Sequence, residues 1–275
     1  MLYYLDLETC FLAKGFKRSD QQILEIGIVH GRRAYKCLVN PVAEGDLIEG
    51  LARLGQDPEK SIRFWTKLLC EKRVLNTAVR RKSIEEQAAM IDRVRHEMKT
   101  PEQAIRGMLA FGRQGTYVAY NGNSFDHKII QAHLRRFDIP HRLRFADPLP
   151  FVRRTLGLKS HALGAVYKHL FHRTFRQHHA LDDAIALQRI CKRLNFTPSP
   201  APPVSPVTVP RRGAPVSRGT PLRSIKGIGP KSERVFLSHG IRSVEDLKHW
   251  VSTHKITDWH FNVHHAKSLA RRLFH

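Results

Sequence analysis

Asp6 and Glu8 stand two residues apart in the N-terminal stretch YLDLET, and a strand over Tyr3–Leu7 sends both carboxylates out of one face of a sheet. Charge buried at the centre of a sheet is costly unless something neutralises it. A divalent cation is the natural neutraliser, because hard cations prefer carboxylate oxygen. Two more acids stand where a fold could bring them to the same place. Asp126 begins a helix just after the apolar stretch YVAY and the turn Asn121-Gly122-Asn123-Ser124. Asp183 follows His178 by five residues, in the last helix of the first half. Taken singly, each reads as a structural carboxylate, Asp126 for instance as an ordinary acid beside a helix macrodipole. Their chemistry depends on whether the intervening elements converge.

Those elements read as α/β. Tyr3–Leu7 is a short strand, and Ile23–Val29, the turn His30-Gly31-Arg32 and Ala34–Asn40 form a hairpin that continues the sheet. Helices are expected over about Lys60–Cys70, from Ser83-Ile84-Glu85-Glu86 (a capping-box pattern) to about Met98, and from Thr100-Pro101, where proline takes the favoured first helical position. Tyr117–Tyr120 is a small buried strand, Phe125–Arg136 a helix, Leu143–Ala146 a strand, and about Ala180–Leu194 a closing helix. Strands first, then strands mixed with helices, imply a sheet covered by helices. The basic stretch from Lys72 to Lys99 reads either as a solvated helical hairpin or as extra phosphate contact. Its run KRVLNTAVRRK is equally compatible with a nuclear signal.

Residues 197–221 hold eight of the chain's 15 prolines and offer almost nothing to bury, so they read as an extended flexible linker. The expected organisation is a domain over 1–196, this linker, and a small all-α domain over 222–275. Lys and Arg total 47 against 24 Asp and Glu, a formal charge of +23, and the surplus falls on both sides of the linker. A surplus of this size points to a polyanionic partner. No apolar run approaches a membrane span, and MLYYLDLE does not read as a signal peptide, so no membrane partner is expected. The four scattered cysteines contain no CxxC pair, which fits a reducing, intracellular compartment, nuclear if the host is eukaryotic.

The stretches YLDLET, VAYNGNSFDHKII and HHALDDAIAL, in that order, resemble the three motifs of the DnaQ-like 3′–5′ exonucleases with four acids and a histidine (DEDDh). QILEIGIV is similar to that family's second strand. NGNSFD, DPLPF and LGAVY are similar to the three-prime repair exonuclease subgroup. The resemblance covers about residues 2–194 and implies an RNase H-like mixed sheet flanked by helices. It assigns Asp6, Glu8, Asp126, His178 and Asp183 to the site. The family register selects His178 over adjacent His179, and Asp183 over Asp182. It implies two Mg²⁺ ions per site, with Mn²⁺ as a substitute, held by Asp6, Glu8, Asp126 and Asp183. His178 would take the proton from the attacking water, a role suited to a pKa near neutrality. The implied reaction releases nucleoside 5′-monophosphates from single-stranded or frayed DNA 3′ ends. An RNA 3′-trimming exoribonuclease and a non-catalytic nucleic-acid-binding protein on a nuclease fold are the alternatives. A homodimer and a polymerase or repair partner stay open.

LRSIKGIGPKSERVFLSHGIRSVEDL, in the C-terminal part, resembles a helix-hairpin-helix motif. Gly227 and Gly229 permit a tight hairpin whose exposed N–H groups and following helix N-terminus suit phosphate. Lys226, Lys231 and Arg234 add positive charge beside it, and such contacts grip the nucleic-acid backbone, including that of structured DNA, without reading bases. His260 and His264 have a helical metal-binding spacing, but no cysteine or nearby acidic pair completes a ligand set, so solvated or phosphate-facing histidines are expected.

Overall fold

The computed structural model describes residues 1–42, 44–112, 115–141, 143–198, 220–225 and 243–247. The chain divides into two compact units, Met1–Val209 and Pro210–His275. In the first, five strands form one mixed sheet: β1 (Leu2–Thr9), β2 (Ile23–His30), β3 (Arg33–Leu38), β4 (Thr116–Ala119) and β5 (Arg144–Ala146), in the order β3-β2-β1-β4-β5. β2 runs antiparallel to both β1 and β3, whereas β4 lies parallel to β1 and β5 parallel to β4. The antiparallel part follows from the tight β2–β3 turn at Gly31, whose φ of +62° suits glycine. The parallel part needs crossovers, and helices supply them.

Alternation along β1 separates the two faces of the sheet. Tyr3, Leu5 and Leu7 enter one core together with Ile26, Ile28, Tyr117 and Ala119. That face is covered by α4 (Pro101–Gly112) and α5 (Asp126–Arg136), through Ala104, Ile105, Met108, Ile129, Ile130 and Leu134. Tyr4 lies on the opposite face with Val29 and Val118, under Ala184, Leu187 and Cys191 of α8 (Ala180–Arg193). Asp6 and Glu8 continue that second face beyond Tyr4, so the apolar cover ends where the acids begin.

A second cluster surrounds the fully buried Trp65 and gathers α1 (Leu47–Arg53), α2 (Pro58–Glu71) and α3 (Ile84–Arg95). The expected capping signals are in place: Ser83 and Glu86 exchange hydrogen bonds at the start of α3, and Thr100 and Gln103 do so at the start of α4. The basic segment 72–99 folds back over α2 with Leu75, Val79, Ala88 and Ile91 in this core. Its Arg95 is buried and donates to Asp92, Asn40 and the carbonyls of Val42 and Gly45. Helices α1, α6 (Leu149–Thr155) and α7 (Leu163–Phe171) lie outside those expected from periodicity. At seven to nine residues, they owe their stability to tertiary packing rather than propensity.

In the second unit, Pro221 bridges Ser243, and Leu222, Val244 and Leu247 are buried. Ser243 caps the turn at 244–247 by accepting from the Asp246 amide, and Glu245 accepts from Thr220. Most of the expected linker, Lys226, Gly227, Gly229, Lys231, Arg234 and the C-terminal histidines, including His260 and His264, lie outside the described residues. Among the described residues, no helix is long and apolar enough to cross a membrane.

Candidate active site

β1 runs parallel to β4, so the carboxyl ends of both strands open at the same edge of the sheet. Open α/β sheets bind ligands at such an edge. β1 presents Asp6 and Glu8 there, and the chain leaving β4 turns at 121–125 to start α5 with Asp126. Asp147, just past β5, shapes that turn: its carboxylate accepts from the amides of Asn121 (3.0 Å), Asn123 (3.2 Å) and Leu149 (3.0 Å). Asn121 is thereby held at φ +58°. Asp126, 3% exposed, then accepts from the Leu7 amide at 3.1 Å, which ties the start of α5 to the strand between the two β1 acids.

The fourth acid arrives on α8, and Gly27 decides how close it comes. Gly27 pairs with Asp6 across β1–β2. A β-carbon on Gly27 would lie 2.2 Å from the carbonyl carbon of Ala180 and the amide nitrogen of Leu181. The first turn of α8 therefore rests directly on the sheet backbone, a close approach only glycine permits. Asp183, one turn in, faces the β1 acids. Its carboxylate accepts from the His179 amide at 2.9 Å.

The result is a tight cluster: one oxygen each from Asp6, Glu8 and Asp183 lie within 4.8 Å of one another. Asp126 lies beside them, close enough to raise the Asp6 pKa. Burial and mutual repulsion act together on these groups. Asp6 is held well above the usual carboxylate range by desolvation and then by Asp126, Asp183, Glu8 and Glu25. Glu8 is pushed up to about 8, first by burial and then by Asp183, Glu25 and Asp126. Asp126 rises to about 7 and Asp183 to about 6, burial again leading, with backbone N–H bonds pulling each back. Carboxylates this crowded and this poorly hydrated want a cation. The donor set is all oxygen, which fits Mg²⁺ or Mn²⁺ better than zinc.

His178 lies at the entrance to α8 with its side chain exposed and a left-handed backbone, φ +62°. Its neighbour His179 is buried and turns the other way, its Nε2 lying 2.8 Å from Glu71 Oε2 at the end of α2. Asp182 faces a cleft on the β3 side rather than the cluster. The fold thus separates each adjacent pair into a buried and an outward-facing member.

Glu25 is an acid of this site that the motif reading left out. It sits directly opposite Glu8 across β1–β2, 1% exposed, a placement of like charges that destabilises a sheet. Lys72, the residue after α2, offsets it with Nζ 2.5 Å from Glu25 Oε1. A charged residue inside the otherwise apolar run ILEIGIV was the available signal for Glu25, once a register for the hairpin is assumed. Nothing in sequence links Lys72 or Glu71 to the site, because α2 reaches it through tertiary packing.

A family model described as Exonuclease (RNase_T) matches residues 72–191, a stretch that contains Asp126, His178 and Asp183 and leaves Asp6 and Glu8 outside. No curated protein matches the sequence. Among solved structures, the chain is similar to E. coli Exonuclease I in complex with a 5cy-dA13 oligonucleotide, at 12% identity and a TM-score of 0.42. That similarity covers 72% of this chain and 41% of the other, so this chain spans less than half of that protein's length. Residues 72–191 thus carry an exonuclease-family match, within a fold whose mixed five-stranded sheet is flanked by helices.

Proposed function

We propose that this protein is a metal-dependent 3′–5′ exonuclease of the DEDDh type that removes nucleoside 5′-monophosphates from DNA 3′ ends. The observation that carries this reading is the convergence of Asp6, Glu8 and Asp183 within 4.8 Å at the carboxyl edge of the sheet, with Asp126 beside them. Asp6, Glu8, Asp126 and Asp183 would hold the two divalent ions. When bound, such ions supply positive charge to the attacking and leaving oxygens of an in-line displacement at phosphorus. His178, exposed just before the helix that bears Asp183, accepts the proton of the attacking water on its ring nitrogen. Glu25 stays with Lys72 and adds negative charge behind Glu8.

The net charge of +23 provides the long-range attraction for nucleic acid. The C-terminal part, 222–275, binds the DNA backbone through the Gly227–Gly229 hairpin with Lys226, Lys231 and Arg234. Tethering by 197–221 keeps this weak grip at high effective concentration near the nuclease. DNA is favoured over RNA by the likeness of NGNSFD, DPLPF and LGAVY to the repair-type subgroup and by the hairpin module.

The test is cleavage of 3′- and 5′-labelled DNA and RNA oligonucleotides by the full chain and by Asp6→Asn, with Mg²⁺, Mn²⁺ or EDTA. Shortening from the 3′ end that needs both metal and Asp6 is the expected result, faster on DNA. Salt-sensitive binding without cleavage would replace the enzyme reading with that of a nucleic-acid-binding protein.

A further inference from the structure

Arg176 and His179, on either side of His178, are each hydrogen-bonded, although His178 itself is exposed. Arg176 Nη2 donates to the main-chain oxygen of Glu71 at 2.7 Å. The amide end of the exposed Gln177 side chain lies over Gly164 of α7. The His179 ring, in a residue only 2% exposed, meets Glu71 again, this time the carboxylate, with Nε2 and Oε2 2.8 Å apart. An ionised carboxylate only accepts, so Nε2 carries the proton and donates it. The His179 amide donates in turn to Asp183. His178 sits between these anchors in a left-handed conformation, which is uncommon for a residue with a β-carbon although histidine adopts it more readily than most.

Glu71 therefore grips this segment twice, with its main chain at Arg176 and its side chain at His179, on both sides of His178. We infer that Glu71, acting through His179, is the positioning residue for His178. It holds the left-handed turn that carries the exposed imidazole at the entrance to the helix bearing Asp183, without touching substrate or ion itself. The inference rests on the exonuclease reading for what His178 does, and on the hydrogen bonds alone for what Glu71 holds. A base displaced by about 1 Å loses about a hundredfold in rate, so the anchor is worth that much to turnover.

The experiment compares full-length wild type, Glu71→Ala, Glu71→Gln, His178→Ala and the double variant Glu71→Ala with His178→Ala. Cleavage of 3′-labelled single-stranded DNA is followed at limiting and saturating substrate, and amide hydrogen exchange is followed over residues 173–183. Glu71→Ala should lower kcat by about a hundredfold with KM unchanged. Glu71→Gln keeps an acceptor oxygen for His179 and should restore most of the rate. Added to His178→Ala, Glu71→Ala should cost nothing further, because the residue it positions is already gone. The amides of His178 and His179 should exchange faster in Glu71→Ala than in wild type or Glu71→Gln. Unchanged exchange in Glu71→Ala overturns the anchor whatever the activity. A loss of the same size with and without His178 overturns its link to the base. If wild type shows no metal-dependent cleavage, the exonuclease reading falls, and exchange still decides whether Glu71 holds the segment.

Discussion

Asp183→Asn should stabilise the metal-free protein at alkaline pH while abolishing its activity. The Asp183 carboxyl is raised from its ordinary 3.8 to about 6, chiefly by burial. At about 1.4 kcal/mol per tenfold change in proton affinity, keeping it ionised at pH 8 costs the fold about 3 kcal/mol. Asparagine removes that charge and still offers an oxygen to the His179 amide, which Asp183 Oδ2 meets at 2.9 Å. The gain is therefore about 3 kcal/mol, or roughly 6–12 °C in Tm for a unit of this size.

The direction with pH follows from the raised value. A carboxyl whose pKa is higher folded than unfolded contributes its full stability below pH 4, and that contribution is lost as pH rises through 6. The variant's advantage should therefore be absent below pH 4, grow between pH 4 and 6, and stay constant above. Thermal melts of both proteins in EDTA from pH 4 to 8.5 measure it. Mg²⁺ at pH 8 should raise the wild-type Tm and raise the variant's far less, since binding to the folded state alone stabilises it. A variant no more stable than wild type at pH 8 in EDTA, or one that responds equally to Mg²⁺, would refute the reasoning.

Gly27→Ala should lose activity and destabilise by about 1–3 kcal/mol, because its β-carbon drives the first turn of α8, and Asp183 with it, off the sheet; melts and cleavage rates check both halves. Lys72→Met breaks the buried pair with Glu25 and should cost about 3 kcal/mol at pH 8. Adding Glu25→Gln should recover much of that loss, as a double-mutant cycle by denaturant melts would show. His178→Ala should slow cleavage by about 10²–10⁴-fold and leave the Mg²⁺-induced rise in Tm intact, the mark of a base that holds no ion. Deleting 197–275 should weaken binding to long duplex DNA more than it slows cleavage of short single strands, and equal loss on both substrates would show that the C-terminal part does not divide the work this way.

The candidate acids were legible in the chain through local spacing together with the resemblance to the DnaQ-like motifs, which alone chose His178 over His179 and Asp183 over Asp182. Asp6 and Glu8 share a face by the two-residue period of a strand. Asp126 follows a strand and a turn, and Asp183 keeps a five-residue distance from His178 at the start of a helix. A sheet with covering helices followed from the same alternation and from capping signals at Ser83 and Thr100, and its mixed topology was implied by the resemblance alone. Short α1, α6 and α7 were not legible, since two helical turns carry too little periodic pattern and depend on neighbours for stability. What only the tertiary structure decided is which acids meet and what surrounds them. Gly27 shows its purpose only when α8 lies on it, and Asp147 only when its carboxylate gathers the amides of Asn121, Asn123 and Leu149. Glu25, Lys72, Glu71 and His179 enter the site from segments more than a hundred residues apart at the extremes, brought together by the burial of α2 and α8. Sequence periods assign a side chain to a face of its own element; the packing of one element on another, driven by apolar surfaces elsewhere, determines the charges it meets there.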